Sequence, residues 1–279
     1  MRFQKIYIEL SDICGLKCQF CPSIKGRRGT MSLSLFSKIA LDCAKFTKLI
    51  ALHILGDPLK IKNLKDYLLI AKKCNLKVEI TTSGIYLDEF DFLLESPIKQ
   101  VNFSLDAIME IESRESRDIA FNKIFKFCRY KDSINSDIFI NLRIQNRTAP
   151  KTLELKNILK QEFGLSHLSS NIRVGKKTII TFREPFLWNL DNDKIANKGF
   201  CYGLISHFGI LSNGSVVPCC IDADGDIILG NLKSQSLDDI LYGDRAISIR
   251  NGFKNKVIIE QKCLKCNYRE QFNNNIVIK

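Results

Sequence analysis

Six short runs of apolar, β-branched residues recur at strand length through the first two-thirds of the chain, separated by stretches with helical apolar spacing. This alternation constrains the fold more than any other feature. The runs cover residues 5–10, 49–55, 77–82, 100–105, 138–144 and 177–182, and the intervening helical stretches cover 32–46, 61–74, 88–94, 117–130 and 152–163. In the second of these, Leu64, Leu68 and Ala71 share a face that Lys65 and Lys72 avoid, which is the signature of a helix resting on a core. Strand and helix in strict succession is the pattern of βα units around a parallel sheet. About six units in roughly 180 residues are too few for a closed eight-stranded barrel. The expected fold is therefore α/β, a partial (β/α)6 TIM-like barrel. Its chemistry should lie in the loops after the C-terminal ends of the strands. The alternation stops after Phe182, and from about residue 189 Gly- and Asp-rich turns take over. The expected division is a barrel over residues 1–185 and a small cysteine-rich domain over 186–279.

Composition removes several classes of protein. The apolar stretch at residues 6–10 is too short for a signal peptide, and no apolar run approaches the ~18 residues of a membrane span. A cytoplasmic location without membrane attachment is expected. Eleven cysteines are many for a reducing compartment, where close, regular spacing reads as metal ligation rather than disulfides. Cys43, Cys74, Cys128 and Cys220 are scattered and read as small hydrophobes. The net charge of +12 raises the question of nucleic acid. The lysines are spread along the chain, however, with no compact basic stripe and no interleaved aromatics. Nucleic acid is disfavoured as a partner.

The first cysteine group follows the first strand, in Ser11-Asp12-Ile13-Cys14-Gly15-Leu16-Lys17-Cys18-Gln19-Phe20-Cys21-Pro22. Cys14, Cys18 and Cys21 form C-x3-C-x2-C, three thiolates on one loop. A structural zinc needs four ligands, so either a fourth lies elsewhere or the site is open. A [4Fe–4S] cluster held by three cysteines leaves one iron able to bind a small molecule.

This motif, with an aromatic before its last cysteine and a strand ahead of it, resembles the radical S-adenosylmethionine (radical SAM) superfamily. The resemblance implies a cluster whose unique iron chelates the amino and carboxylate groups of SAM. Reductive cleavage then yields a 5′-deoxyadenosyl radical that abstracts hydrogen from substrate. Further segments resemble the family at later strand ends. His53-Ile54-Leu55-Gly56-Asp57-Pro58-Leu59 is similar to the Gly-Gly-Glu segment that meets the SAM amino group, with Leu55 and Asp57 as departures. Thr81-Thr82-Ser83-Gly84 resembles a Thr-Asn-Gly turn, with Ser83 in place of Asn. Asn102-Phe103-Ser104-Leu105-Asp106 is similar to the segment near the SAM ribose or carboxylate. Arg143 stands where relatives place an arginine on the SAM carboxylate, a role its planar fork suits. The cofactor contacts implied are Gly56, Asp57, Pro58, Ser83, Ser104, Asp106 and Arg143. For Arg143 an ion pair with Glu9 is the structural alternative. The resemblance spans about residues 5–180.

In the C-terminal region, Ile210–Leu211 and Ser215–Val217 flank Asn213-Gly214, the strongest short hairpin signal. Such a hairpin brings Cys219 towards Cys201, and Cys263-Leu264-Lys265-Cys266 adds a C-x2-C pair. Four thiolates suit a fully ligated [4Fe–4S] cluster or a tetrahedral zinc, and spacing does not choose between them. Cys201, Gly214-x4-Cys219, Leu229-Gly230-Asn231-Leu232 and the C-x2-C resemble the SPASM extension of radical SAM proteins. The further cysteines of that pattern are missing after Cys266, which implies one auxiliary cluster, as in the shortened "twitch" form. The metal ligands implied are Cys14, Cys18, Cys21, Cys201, Cys219, Cys263 and Cys266, with Cys220 a bystander or alternate ligand.

The expected cofactors are two [4Fe–4S] clusters, one SAM-binding and one auxiliary, and SAM itself. The expected partners are a small-molecule or peptide substrate and an electron donor such as flavodoxin or ferredoxin. The substrate classes in competition are a peptide side chain, a sugar or aminocyclitol, and a cofactor precursor. With 13 residues ahead of Cys14, no leader-binding domain is expected. No catalytic base is assigned. Two readings compete with oxidation or modification by a radical: an RNA-modifying enzyme, and a zinc-stabilised binding protein without catalysis. Asp222, Asp224 and Asp226 resemble a calcium loop that lacks its closing Glu and read as a polar turn. Trp188 is weighed as a channel-lining residue.

Overall fold

A computed structural model describes residues 1–22, 26–145, 149–185 and 195–273. Trp188 lies outside the described residues. The described residues form two compact units that do not follow chain order: one takes residues 1–13, 20–56 and those from 195 on, the other 14–19 and 57–185.

In the first unit, β1 (Lys5–Ile8), α1 (Leu33–Phe46) and β2 (Leu49–Leu52) make the opening βα unit. α1 starts where Ser32 caps Leu35 N through its hydroxyl at 3.2 Å, and Phe36, Ile39, Ala40, Cys43 and Phe46 form its buried stripe. β1 pairs in parallel with β2 on one side and with β8 (His207–Ile210) on the other. β9 (Ser215–Val217) returns antiparallel to β8, and β10 (Gly230–Asn231) completes the order β10-β9-β8-β1-β2. The Asn-Gly turn forms where the sequence places it. Gly214 takes φ +88°, Asn213 accepts a 3.1 Å bond from Ser215 N, and Gly214 N donates to Leu211 O. Helices α6 (Leu237–Tyr242), α7 (Asp244–Lys254), α8 (Gln261–Leu264) and α9 (Glu270–Asn273) end this unit.

The second unit carries β3 (Lys77–Thr82), β4 (Ile98–Ser104), β5 (Phe139–Gln145), β6 (Ile172–Gly175) and β7 (Thr178–Arg183), in the order β3-β4-β5-β7-β6. Its helices are α2 (Leu64–Lys73), α3 (Leu105–Met109), α4 (Arg114–Ser133) and α5 (Pro150–Phe163). β3, β4, β5 and β7 are mutually parallel, as βα succession requires, but β6 is an antiparallel strand ahead of β7. β6 leaves little trace in the sequence because Ile172-Arg173-Val174-Gly175 is short and carries an arginine and a glycine. α3 is equally faint, being five residues long and below the length at which periodicity speaks. The helix expected at 88–94 is a single 3-10 turn, Asp91–Leu94.

The parallel strands of the second unit have two chemically different faces. Val78, Ile80, Val101, Phe103, Ile140, Leu142, Ile144 and Ile180 are fully buried, and Phe127 of α4 packs edge-on against Phe103 at 5.7 Å. The opposite face is polar. In-register Glu79 and Gln100, Thr81, Asn102 and Asn141, and Ser104, Arg143 and Thr181 alternate with the apolar set. Buried amides satisfy one another there. Asn102 Oδ1 accepts from Gln100 at 2.7 Å and from Asn141 at 3.1 Å, while Asn141 Oδ1 accepts from Thr181 at 2.6 Å.

Candidate functional site

The loop between β1 and α1 carries Cys14, Cys18 and Cys21, and each of its legs is anchored separately. Its return leg is tied to the end of β1 within the first unit. Asp12 accepts from Arg28 N at 2.6 Å and Gly29 N at 3.0 Å, Thr30 bonds Ser11 through their hydroxyls, and Met31 N donates to Leu10 O. Its outgoing leg is held in the second unit, where the Tyr86 hydroxyl donates to Cys14 O at 2.9 Å. Gly15 is required there. It takes φ +92°, and a Cβ would lie 2.2 Å from the Tyr86 oxygen and 2.5 Å from Lys60 Nζ. Cys18 is buried, Cys14 half-buried and Cys21 exposed.

Gly56, at the C-terminal side of β2, is equally constrained. It takes φ +72°, and a Cβ would stand 2.1 Å from Ser11 O. The backbone around Gly56 therefore lies directly against the start of the cysteine loop, an approach open only to glycine. Asp57 is held by bonds within its own unit. Only 1% exposed, its carboxylate accepts from Leu59 N, from the Thr82 hydroxyl at 2.8 Å and from both the N–H and hydroxyl of Ser83 at 2.9 and 2.6 Å. It ties the turn at buried Pro58 to the end of β3. Removing such an acceptor strands buried donors at a cost of about 1–3 kcal/mol. Ser83 spends its hydroxyl on this staple. Further along the same unit, Arg143 Nη2 donates to Ser104 Oγ at 2.9 Å, and Asp106 accepts from Gln145 N at 2.7 Å. Ser104, Asp106 and Arg143 are thus brought together at the C-terminal ends of β4 and β5.

Glu9 corrects one expectation. Its fully buried carboxylate pairs with Arg28 through two 2.9 Å bonds and accepts Ser212 N at 3.1 Å, so the partner is Arg28 and not Arg143. The sequence signal was weak because Arg28 lies in the cysteine loop, outside any strand pattern.

The second cysteine group lies wholly in the first unit. Cys201, Cys219, Cys263 and Cys266 are half-buried and come from three separate stretches of chain. Burial raises the pKa of all four: Cys201 to about 11, and Cys219 and Cys263 further. At Cys219 the thiolates of Cys201, Cys220, Cys263 and Cys266 add repulsion. Thiols that repel one another as thiolates, in a desolvated nest, fit a bound metal centre that supplies the missing positive charge. Among the described residues no three His, Cys, Asp or Glu side chains close up around a single metal ion. The apparent calcium loop is filled by a lysine. Lys262 Nζ reaches Asp222 at 2.9 Å and Asp226 at 2.7 Å, and Asp222 also accepts Asp226 N and Ile227 N. The polar-turn reading holds, and the turn now joins the segment after Cys219 to α8, which bears Cys263. Arg269, which the sequence analysis passed over, is buried beside this nest and donates to Cys263 O at 2.9 Å.

Cys220 packs against the core formed by Ile54, Leu211, Val217 and Ala223, and its thiol meets the Tyr7 hydroxyl. Its pKa is pushed up to about 12 by burial, like that of Cys128. None of the eleven cysteines is in a disulfide.

Residues 8–149 match the profile of the radical SAM superfamily. The chain belongs to that superfamily. Residues 201–267 match SPASM, an iron–sulfur cluster-binding domain. Among curated proteins, a GTP 3′,8-cyclase of Synechocystis is 23% identical over 188 residues, which cover 63% of this chain. The match spans about half, 51%, of that relative. Among solved structures, BtrN in an open conformation superposes with a TM-score of 0.56 at 16% identity, covering 96% of this chain and 93% of its own. Streptococcus suis SuiB bound to its precursor peptide SuiA gives 0.63 at 16%, covering 95% and 70%. The anSMEcpe structure with AdoMet and the Cp18Cys peptide gives 0.61 at 14%, covering 95% and 86%. At these identities the likeness is one of fold: a partial TIM-type barrel with a C-terminal SPASM region. As a radical SAM enzyme, the protein uses SAM and iron–sulfur clusters. No described helix is long and apolar enough to cross a membrane.

Proposed function

We propose that the chain is a radical SAM oxidoreductase or modifying enzyme with one auxiliary cluster, working on a small molecule or a peptide side chain. In this reading residues 1–185 generate the radical and 186–279 carry the auxiliary centre. The nest of four thiols supports it most directly: its donor set is complete without a substrate, whereas the loop of Cys14, Cys18 and Cys21 offers three. A cluster at the loop supplies one-electron cleavage of the SAM sulfonium. The protein's own residues do the rest. Gly56, Asp57 and Pro58 would form the turn that meets the SAM amino group. Ser83 locks the turn after β3. Arg143, oriented by Ser104, would pair with the SAM carboxylate, and Asp106 would fix the end of β5 beside it. A cluster held by Cys201, Cys219, Cys263 and Cys266 would supply a one-electron acceptor, which together with hydrogen abstraction would make the net reaction a two-electron oxidation.

The substrate classes carried forward are a peptide side chain, a sugar or aminocyclitol, and a cofactor precursor. BtrN bound to AdoMet and 2-DOIA supports a small polar substrate, and the peptide complexes of SuiB and anSMEcpe support a peptide. The electron donor is a flavodoxin or ferredoxin, and the reducing chemistry suits the cytoplasm. Anaerobic reconstitution should yield a brown protein with about eight iron and eight sulfide per chain. Adding SAM and dithionite should then release 5′-deoxyadenosine. A colourless protein holding about two zinc per chain, or a brown one that leaves SAM intact, would overturn the proposal.

A further inference from the structure

The segment after the C-x2-C pair buries a cation that backbone carbonyls hold. Arg269 is 2% exposed, and its guanidinium donates to three backbone carbonyls: Cys263 O at 2.9 Å, Lys198 O at 3.0 Å and Ala196 O. Two of these acceptors lie in the stretch leading into Cys201, and the third belongs to a cysteine of the nest. Two other cations of this unit close to a thiol loop have carboxylate partners: Arg28 has Glu9, and Lys262 has Asp222 and Asp226. Arg269 bonds to no carboxylate among the described residues. A buried charge without a counter-ion is costly unless an opposite charge stands nearby. The groups that feel its field are the thiols of Cys201 and Cys266.

We propose that Arg269 is the built-in counter-cation of the auxiliary centre and holds its reduction potential high enough to accept an electron. The inference rests on the reading of Cys201, Cys219, Cys263 and Cys266 as cluster ligands. Four thiolates give a bound cluster net negative charge, and reduction adds one more unit. A fixed positive charge at short range in a desolvated nest favours the reduced form over the oxidised one. Net charge, hydrogen bonding and burial are the levers that set iron–sulfur potentials. The three carbonyl bonds keep the guanidinium in place through the change, so Arg269 acts on the centre without touching substrate. It is a positioning residue, and its signature is a potential rather than a rate.

The test uses the full chain with Cys14, Cys18 and Cys21 replaced by alanine, so that one cluster remains. Midpoint potentials are read by EPR-monitored titration with dithionite for this parent and for Arg269→Lys and Arg269→Gln in the same background. Arg269→Gln should lower the reduced-to-oxidised ratio at fixed potential by about tenfold or more, equivalent to about 59 mV for one electron. Arg269→Lys, which keeps the charge, should stay close to the parent. Loss of the cluster in Arg269→Gln with a parental value in Arg269→Lys supports the inference equally, because the charge is then what assembly needs. A parental potential in Arg269→Gln overturns it. So does a fall in Arg269→Lys as large as that in Arg269→Gln, or loss of iron from Arg269→Lys. A parent that takes up no iron at all fails the ligand assignment first, and the inference with it.

Discussion

Cys14, Cys18 and Cys21 occupy one short loop whose thiols range from buried to exposed, whereas Cys201, Cys219, Cys263 and Cys266 are gathered from three stretches and are all half-buried. The loop is shaped by backbone: Gly15 and Gly56 admit approaches that a side chain would block, and Asp12 and Tyr86 hold its two legs. The nest is shaped by charge: Lys262 of α8 bridges Asp222 and Asp226, and Arg269 ties the 196–198 stretch to Cys263. A site that must exchange a small molecule benefits from an open, precisely turned backbone. A site that must hold one centre through changes of charge benefits from fixed cations and desolvation. Under the proposed function the two regions would divide the labour between making a radical and disposing of its electron.

The sharpest way to break this division is to remove one cysteine from each group. Cys18→Ala should abolish 5′-deoxyadenosine formation while the auxiliary iron remains, about half the parental content. Cys263→Ala should retain SAM cleavage but lose product, so that 5′-deoxyadenosine forms without substrate oxidation. Identical losses in both variants would mean that the two regions are not separate. Iron analysis with product chromatography reads both.

A smaller effect tests the claim that the loop depends on backbone. Gly56→Ala puts a Cβ 2.1 Å from Ser11 O at φ +72°. It should cost about 2 kcal/mol or more of apoprotein stability and weaken SAM binding, leaving the auxiliary spectrum intact. Urea unfolding and SAM titration check it, and a variant with wild-type stability would remove the steric argument.

The smallest effect concerns the base of the first unit. His207 stands edge-on to Tyr7, and burial, with help from Lys5, lowers its pKa from 6.5 to about 4. Below pH 6.5 the unfolded chain takes up a proton that folded His207 refuses until about pH 4. Its contribution to stability is therefore complete above pH 6.5 and lost as the pH falls through that window. His207→Phe should flatten this part of the pH profile of unfolding; an unchanged slope would place the titration elsewhere.

The parallel strands were legible because β-branched runs such as Lys77–Thr82 are bounded by turns and separated by helices with a clear apolar stripe. The Asn213-Gly214 hairpin was legible for a local reason as well: its turn chemistry resides in two residues. β6 was not, because a four-residue strand carrying an arginine and a glycine owes its existence to pairing with β7. Asp57 shows the same limit within a motif. Its place after Gly56 is visible in the motif, but the bonds its carboxylate accepts from Thr82, Ser83 and Leu59 arise only in the fold.

By itself, the sequence determined which chemistry the chain can host, since the spacing of seven cysteines and the βα alternation are properties of neighbours along the chain. Tertiary structure alone decided the counter-charges. Glu9 chose Arg28, Lys262 came between Asp222 and Asp226, and Arg269 came to rest on backbone carbonyls beside the four thiols. The reason is physical: electrostatic partners are selected by distance in a desolvated interior, and residues remote in sequence become adjacent only once the backbone has folded.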